Sequence, residues 1–369
     1  MATESPLPMA DPAGAATRER PLPQRIVDRL LGADGVKRFL VALGAYLVCL
    51  ALFGAIVATQ HANPFSVYKS IVQSAFFESG SITQILLRAV PIVLAALAVS
   101  VPARAGLVNV GGEGQLIVGA IAATGVALYV LPGAPQPLEL LAMAVAGFAA
   151  GAAWGALAGV LRVSLGANES VATLLLNFVA NDVLLYLLYQ PWKDPTGTGQ
   201  PQSEPLQSAA QLPGLFSGLN LGVLITLLVA VVVYLVMRYS GWGFALRVVG
   251  GNPEAAQRAG LPVKRLMVSS IAVGGGLAGL GGMLYLAGTQ LQLLPGGTAT
   301  FGYTAFLAAF LGRRGTVRVV LAALLFSAIA ISAPALQLNY GLDGNAVDIV
   351  LALAVAAPLA LSANRGKAI

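Results

Sequence analysis

Apolar residues in this chain run on for stretch after stretch without the alternation of a half-buried strand, and that pattern admits few folds. A helix needs about 20 residues to cross the hydrocarbon core of a bilayer, and an unpaired backbone group there costs several kcal/mol. Only helices and closed barrels satisfy that condition, and runs without a period of two select helices. Composition agrees: 57% of the 369 residues are hydrophobic, 10% are charged, and the mean hydropathy is +0.81. Such a chain lies outside the range of soluble globular domains. The expected fold class is all-α, a polytopic membrane protein.

Ten candidate spans can be read: 39–58, 85–101, 115–131, 140–161, 171–190, 219–237, 266–287, 303–311, 319–336 and 346–361. The eighth is too short to cross alone. The preceding stretch 291–301, with Pro295, Gly296 and Gly297, reads as a broken or re-entrant element that completes the crossing. An even number of spans puts both termini on one side, and the basic residues choose which. With the N-terminus inside, eighteen of the 21 Lys and Arg fall on cytoplasmic segments, leaving Lys69, Arg88 and Lys193 outside. The net charge of +6 therefore follows from topology and calls for no nucleic acid, since the basic residues flank spans and lack interleaved aromatics.

Residues 1–38 read as a cytoplasmic tail, disordered at least through its Ala- and Pro-rich beginning and without a signal-peptide core; 39–361 as one transmembrane domain; 362–369 as a second cytoplasmic tail. The expected loops are 61–84 and the Pro/Gly/Ser-rich 191–218 outside, and 238–265 inside. Cys49 is a lone thiol in the first span and carries no disulfide argument. Gly151, Gly155 and Gly159 fall at i, i+4 and i+8, a close-packing face for another helix of the same chain or for a second copy.

Three polar strings interrupt the apolar background. The first, Gly250 to Gly260, is a miniature helix: Asn252 to cap it, Pro253 in its first turn, Glu254 at the positive end of its dipole, Arg258 in its last turn and Gly260 to close it. Seven residues, 253–259, are expected to be helical. A helix that short is marginal alone in water, so Asn252, Pro253, Glu254, Ala255, Ala256, Arg258 and Gly260 mark a docking element for a partner on the cytoplasmic side.

The second string, Ala105 to Gln115, joins the second and third spans with four glycines and one carboxylate. In solvent, Glu113 would be an ordinary acid at a helix N-terminus. If the stretch enters the bilayer, Asn109, Glu113 and Gln115 line or brace a pathway, because a charge facing lipid costs about 3 kcal/mol or more. The third string opens the fifth span and sets Asn177 and Asn181 on one helical face, where two amides either meet a polar solute or hold helices together; Asn168 or Ser170 can cap that helix.

Enzymatic signals are missing. The single histidine is His61, and there is neither a Cys/His metal pattern, nor a nucleophile elbow, nor a phosphate-binding loop with its Lys. Transport remains, driven by an ion gradient or by another subunit. The embedded acids are few, Glu113, Asp182 and Asp348, which favours an external motor over a gradient-driven secondary carrier of a small polar solute.

The three strings together resemble the permease subunits of bacterial ABC importers for simple sugars and nucleosides. Such permeases carry an Asn-hydrophobic-Gly-x-Glu-Gly-Gln/Met element, here Asn109 to Gln115. On a cytoplasmic loop they carry a Gly-x-Asn-x-x-Ala-Ala-x-x-x-Gly element, here Gly250 to Gly260, followed by a Gly-rich helix like Gly274 to Gly282. The likeness runs over about 85–361, and Leu311 to Arg314 resembles the family's Leu-Leu-Gly-Arg. Glu113-Gly114-Gln115, Leu175-Leu176-Asn177 and the long outer loop are similar to the nucleoside branch. The resemblance implies no catalysis on this chain and no cofactor on it, with ATP and Mg held by a partner ATPase. It further implies a second permease, homologous or identical, an extracytoplasmic solute-binding protein, and a place in the bacterial inner membrane. The 252–260 element would be the coupling helix seated in the ATPase.

Overall fold

The computed structural model describes residues 33–197, 199–298, 300–313, 315–342 and 346–353. Residues 1–32 of the tail expected at 1–38, the tail 362–369, and residues 354–361 of the last expected span lie outside the described residues, while 33–38 of the first tail are helical and belong to the first helix rather than to a tail. The described chain is helical: α1 (Ala33–Thr59), α2 (Pro64–Phe76), α3 (Ser81–Ala103), α4 (Gly112–Val130), α5 (Gln136–Leu165), α6 (Glu169–Tyr189), α7 (Leu221–Tyr239), α8 (Gly241–Gly251), α9 (Pro253–Arg258), α10 (Val263–Gln290), α11 (Phe301–Gly312), α12 (Thr316–Ala330) and α13 (Ala333–Tyr340). Residues 346–353 are helical as well. The described residues contain no strand beyond one isolated bridge between Gly214 and Asn220.

Seven helical segments are long and apolar enough to cross a membrane: α3, α4, α5, α6, α7, α10, and α12 with α13 taken together. An eighth is gained if the bent pair α1 and α2 forms one span. The two other expected crossings correspond to α11, which is 12 residues long and so about 18 Å, and to the helical residues 346–353.

The stretch expected as an outer loop at 61–84 is largely helical, because Asn63 accepts a hydrogen bond from the Phe65 N–H and Pro64 fits the first turn of α2. The chain turns by 111° between α1 and α2, with His61 in the left-handed region. Tyr68 holds the two helices together by donating to the Leu50 carbonyl at 2.5 Å and packing its ring on Phe53.

The core is built around α10, whose small residues let three neighbours approach to backbone contact. A methyl group on Gly275 would strike the Gly151 carbonyl, one on Gly279 the Gly147 carbonyl, one on Gly274 the Ala98 carbonyl and one on Gly282 the Leu116 carbonyl. The Gly147, Gly151, Gly155 and Gly159 face of α5 is thus an intramolecular seam against α10. By contrast α7 turns Leu224, Leu227, Leu228, Val231, Val232 and Leu235 outward, as a helix surrounded by lipid does.

The bundle has two unlike ends. One carries α8 and α9. The other carries residues 190–220, which form a strap tied across the end of α10: the Leu206, Leu212 and Ser203 N–H groups donate to the Leu291, Ala287 and Leu293 carbonyls, and the Asn220 amide donates to the Gly288 carbonyl. Leu206, Ala210 and Ser203 of the strap are buried.

Candidate functional site

The turn after α3 does not stay at the end of the bundle. From Arg104 the chain climbs back alongside α3, so that the Asn109 amide donates to the Ala98 carbonyl at 3.1 Å and Gly112, at the start of α4, lies against Ala95. Ala95 is two and a half turns before Arg104, so α4 begins about 13 Å inside the bundle end. The non-helical junction 105–111 is therefore interior, and its backbone groups need partners there.

The Ala105, Gly106 and Leu107 N–H groups turn back on the Pro102 and Ala103 carbonyls of α3, and the Val108 and Val110 groups beyond them find their partners on α6. Asn168 caps that helix, accepting from the Ser170 and Val171 N–H groups. Glu169, Thr173 and Asn177 then recur at four-residue intervals toward the junction. Glu169 accepts from the Val108 N–H at 3.3 Å and pairs with Arg162 at 3.3 Å. Thr173 accepts from the Val110 N–H at 3.1 Å. Asn177 accepts from the Gly114 N–H at 2.8 Å and donates to the Val110 carbonyl at 3.0 Å. Asn109 and Gln115 exchange amide hydrogen bonds at 3.0 and 3.1 Å, and Asn109 also accepts from the Gly111 N–H. Asn109, Gln115 and Asn177 are buried, with their amides engaged in bracing the junction. Glu169 and Thr173 were not singled out from the sequence; the four-residue spacing running from Glu169 to Asn181 was the signal for them. Asn181, one turn further along the same face, is half-buried, and Asp182 beside it is exposed.

A second break meets the first. Helix α10 ends in a π-turn at Leu286–Gln290, the chain passes through left-handed residues at Leu291, Gly296 and Thr300, and α11 starts at Phe301. The α11 N-terminus abuts the start of α4: the Gly302 N–H donates to Glu113 Oε2 at 2.7 Å, and a methyl group on Gly302 would run into the Glu113 backbone. A carboxylate against the exposed N–H groups of a helix N-terminus is favourable on both hydrogen-bonding and dipole grounds. Glu113 is buried and its Oε1 makes no hydrogen bond. Above this contact Phe301 packs edge-on to Tyr285, and the Arg88 guanidinium lies 5.3 Å over the Phe301 ring. Arg88, counted from the sequence with the basic residues of the outer side, lies two turns into α3, within the span expected at 85–101.

Another buried acid was missed because its span was expected to begin one residue later. Glu139, in the first turn of α5, is fully buried and neither carboxylate oxygen is hydrogen-bonded.

At the other end of the junction stands the polar miniature helix. Asn252 ends α8 and caps α9, accepting from the Ala255 N–H at 3.0 Å, while Pro253 takes the first position. Helix α9 covers six residues, one fewer than expected, because Ala259 already leaves the helix to reach Gly260 at φ +83°. Ala256 is buried against the body, whereas Glu254, Ala255, Gln257 and Arg258 project outward. Glu254 and Arg258 approach only to 4.0 Å and are 85% exposed, so both charges remain available to a partner. Gly250, just before the cap, packs so closely on the turn after α3 that a methyl group there would strike the Arg104 carbonyl. Arg104 in turn donates to Thr316 at the start of α12. The α9 platform therefore rests on the segment that leads to Asn109 and Glu113. No group of three or more His, Cys, Asp or Glu side chains suited to a metal occurs among the described residues.

The family model for the branched-chain amino acid transport system permease component matches residues 81–357. The chain belongs to this permease family. The permease is 35% identical to the glucose ABC transporter permease protein of Haloferax volcanii over 84% of each chain. It is 30% identical to the guanosine ABC transporter permease protein of Bacillus subtilis, over 87% of this chain and 92% of that one. A nucleoside ABC transporter permease protein of Lactococcus lactis is 29% identical over 82% of this chain and 85% of its own. The chain is thus a multi-pass membrane subunit of an ABC transporter and not itself an enzyme. That result favours an external motor over the gradient-driven carrier.

Proposed function

We propose that this permease forms the solute pathway of an ATP-driven importer for nucleosides or simple sugars and that α9 is its coupling helix. The observation that carries the reading is the backbone contact between Gly250, next to α9, and the Arg104–Gly106 turn, which continues into the interior junction and Glu113. A displacement of α9 has no soft side chain there to absorb it, so it passes to the junction and to the α11 N-terminus. Two ATP-binding subunits holding ATP and Mg would supply the displacement. ATP must bind their closed state more tightly than their open state, because a ligand indifferent to the two shifts nothing.

The pathway assigned here runs past Asn181 and Glu113, with Asn109, Gln115 and Asn177 shaping its wall. Ten spans with both termini in the cytoplasm, α11 completing a crossing with the non-helical stretch before it, fit the distribution of Lys and Arg. The assembly takes a second permease, identical or homologous, and an extracytoplasmic binding protein that delivers solute at the strap end, in the inner membrane of a bacterium. The names of the glucose, guanosine and nucleoside relatives support the solute class.

The test is transport and ATPase activity of the reconstituted complex. Glu254→Lys and Ala255→Trp, both on exposed positions of α9, should cut solute-stimulated ATPase activity and uptake together by tenfold or more without lowering the amount of permease in the membrane. Unchanged coupling in both variants would remove α9 from the transmission route. Asn181→Leu should lower uptake without loss of assembly.

A further inference from the structure

A cavity of about 580 Å³ opens at the strap end of the permease. One wall is Tyr189, at the end of α6, with Gln200 and Gln202 of the strap; the other is Gln292 and Pro295, on the chain that descends from α10 to α11. We propose that this cup is the receiving subsite for solute, specific for an uncharged ring bearing several hydroxyl or amide groups and selective against its phosphorylated form. The proposal rests on the importer reading and names a site and a selectivity which that reading leaves open.

The chemistry of the walls sets the ligand class. Each glutamine offers a carbonyl acceptor and two N–H donors, so three of them in one cup match alternating donors and acceptors around a ring. The Gln292 amide donates to the Gln202 carbonyl at 3.5 Å, a contact so long that a solute hydroxyl can replace it with little loss. Tyr189 is exposed and presents an aromatic face beside them. The volume falls within the range of small-molecule sites, roughly 300 to 1,000 Å³. Among the described residues, no Lys or Arg lines the cup. Behind Gln202 stands Asp194, whose Oδ2 accepts from the Gln202 amide at 3.5 Å. Hydrogen bonds from the Thr196 hydroxyl and N–H hold the Asp194 carboxyl below the usual carboxylate range, so it is anionic at neutral pH. A phosphoryl group would therefore enter a cup that has a carboxylate behind its wall and no cation in it.

The position also suits a first stop on the way in. The Gln292 wall continues directly through Leu294 and Pro295 to Phe301 and Gly302, where the α11 N-terminus meets Glu113. Solute in the cup would therefore sit on the same stretch of chain that leads to the interior contact.

The experiment is equilibrium dialysis of the purified full-length permease in lipid nanodiscs, with tritiated guanosine and radiolabelled glucose as probes and guanosine monophosphate as competitor. At least one probe should bind. Gln202→Leu and Gln292→Leu should each weaken that binding about tenfold, the equivalent of about 1.4 kcal/mol for an unpaired polar contact. Guanosine monophosphate should compete at least tenfold less well than guanosine. Gln202→Leu also touches Asp194, so Tyr189→Ala, at an exposed position, serves as the variant that leaves the strap hydrogen bonds in place and should weaken binding as well. Equal affinity in wild type and all three variants, failure of both probes to bind, or equal competition by the phosphorylated nucleoside would each overturn the cup. Failure of the importer reading shows separately, as uptake that persists when the ATP-binding subunit is removed.

Discussion

At the scale of single residues, polar side chains inside the permease divide into those that complete the fold and those with capacity to spare. Asn177 belongs to the first group, since its amide satisfies both the Gly114 N–H and the Val110 carbonyl in a part of the chain that is not helical. Asn177→Leu should leave two buried backbone groups unpaired, costing about 1–3 kcal/mol each, and should lower the melting temperature of the purified protein by several degrees. Asn181→Leu, one turn away at a half-buried position, should leave the melting temperature within a degree or so of wild type. Equal destabilisation by the two changes would contradict the division. Glu113 combines both roles: one oxygen holds the Gly302 N–H and the other is unengaged. The sequence marked Asn109, Glu113, Gln115 and Asn177 as unusual by type and place. It did not say that Glu113 meets Gly302, because the two residues lie 189 positions apart and no local pattern reports such a pairing.

At the scale of elements, legibility followed the range of the interactions that set each boundary. Helix α9 could be read to within a residue, since an Asn cap, a Pro in the first turn and a closing Gly act within one or two turns of chain. Helix α2 has the same Asn-Pro opening, yet it lies within the stretch expected as an outer loop; it is tied to α1 and α13 through Tyr68 to Leu50 and Tyr340 to Ser66. The strap was equally hidden, because its order rests on carbonyls of the α10 end some 75 to 90 residues later in the chain. The glycine face of α5 was visible as a seam, whereas its partner Gly275 and Gly279 had to come from the fold. Gly250→Val should test the seam at α8: branched carbons would collide with the Arg104 carbonyl and overpack the turn by about 1–3 kcal/mol. The expected readout is increased hydrogen exchange at residues 104–111 together with α9. Exchange raised at α9 alone would show that the two segments are not mechanically joined.

At the scale of the whole molecule, the permease is a bundle with a rigid small-residue centre at α10 and two breaks that converge within it. Ends of different chemistry follow from that plan: a charged platform at α9, and an uncharged amide cup under the strap. Acid should loosen one part of the strap, the turn at Asp194. Hydrogen bonds from Thr196 hold the Asp194 carboxyl below the usual carboxylate range, so they stabilise this turn above the ordinary carboxylate pKa and are lost as pH falls through the folded value. Proteolysis within residues 195–202 should therefore accelerate at pH below the ordinary carboxylate range while cleavage at the α9 end shows no matching step. Asp194→Asn should be cleaved at neutral pH as the wild type is in acid.

In the proposed mechanism α9 passes ATPase motion to the interior junction, and cross-linking from α9 in the assembled transporter checks this at its first step. With a photoreactive amino acid at Ala255, and another at Leu338 of α13 as a control on an exposed residue elsewhere, membranes are irradiated and the adducts identified by mass spectrometry. Ala255 should form an adduct with a nucleotide-binding subunit, in a yield that changes when ATP is trapped, and Leu338 should form none with that subunit. A nucleotide-binding subunit that copurifies with the permease but never cross-links from Ala255 would contradict the mechanism.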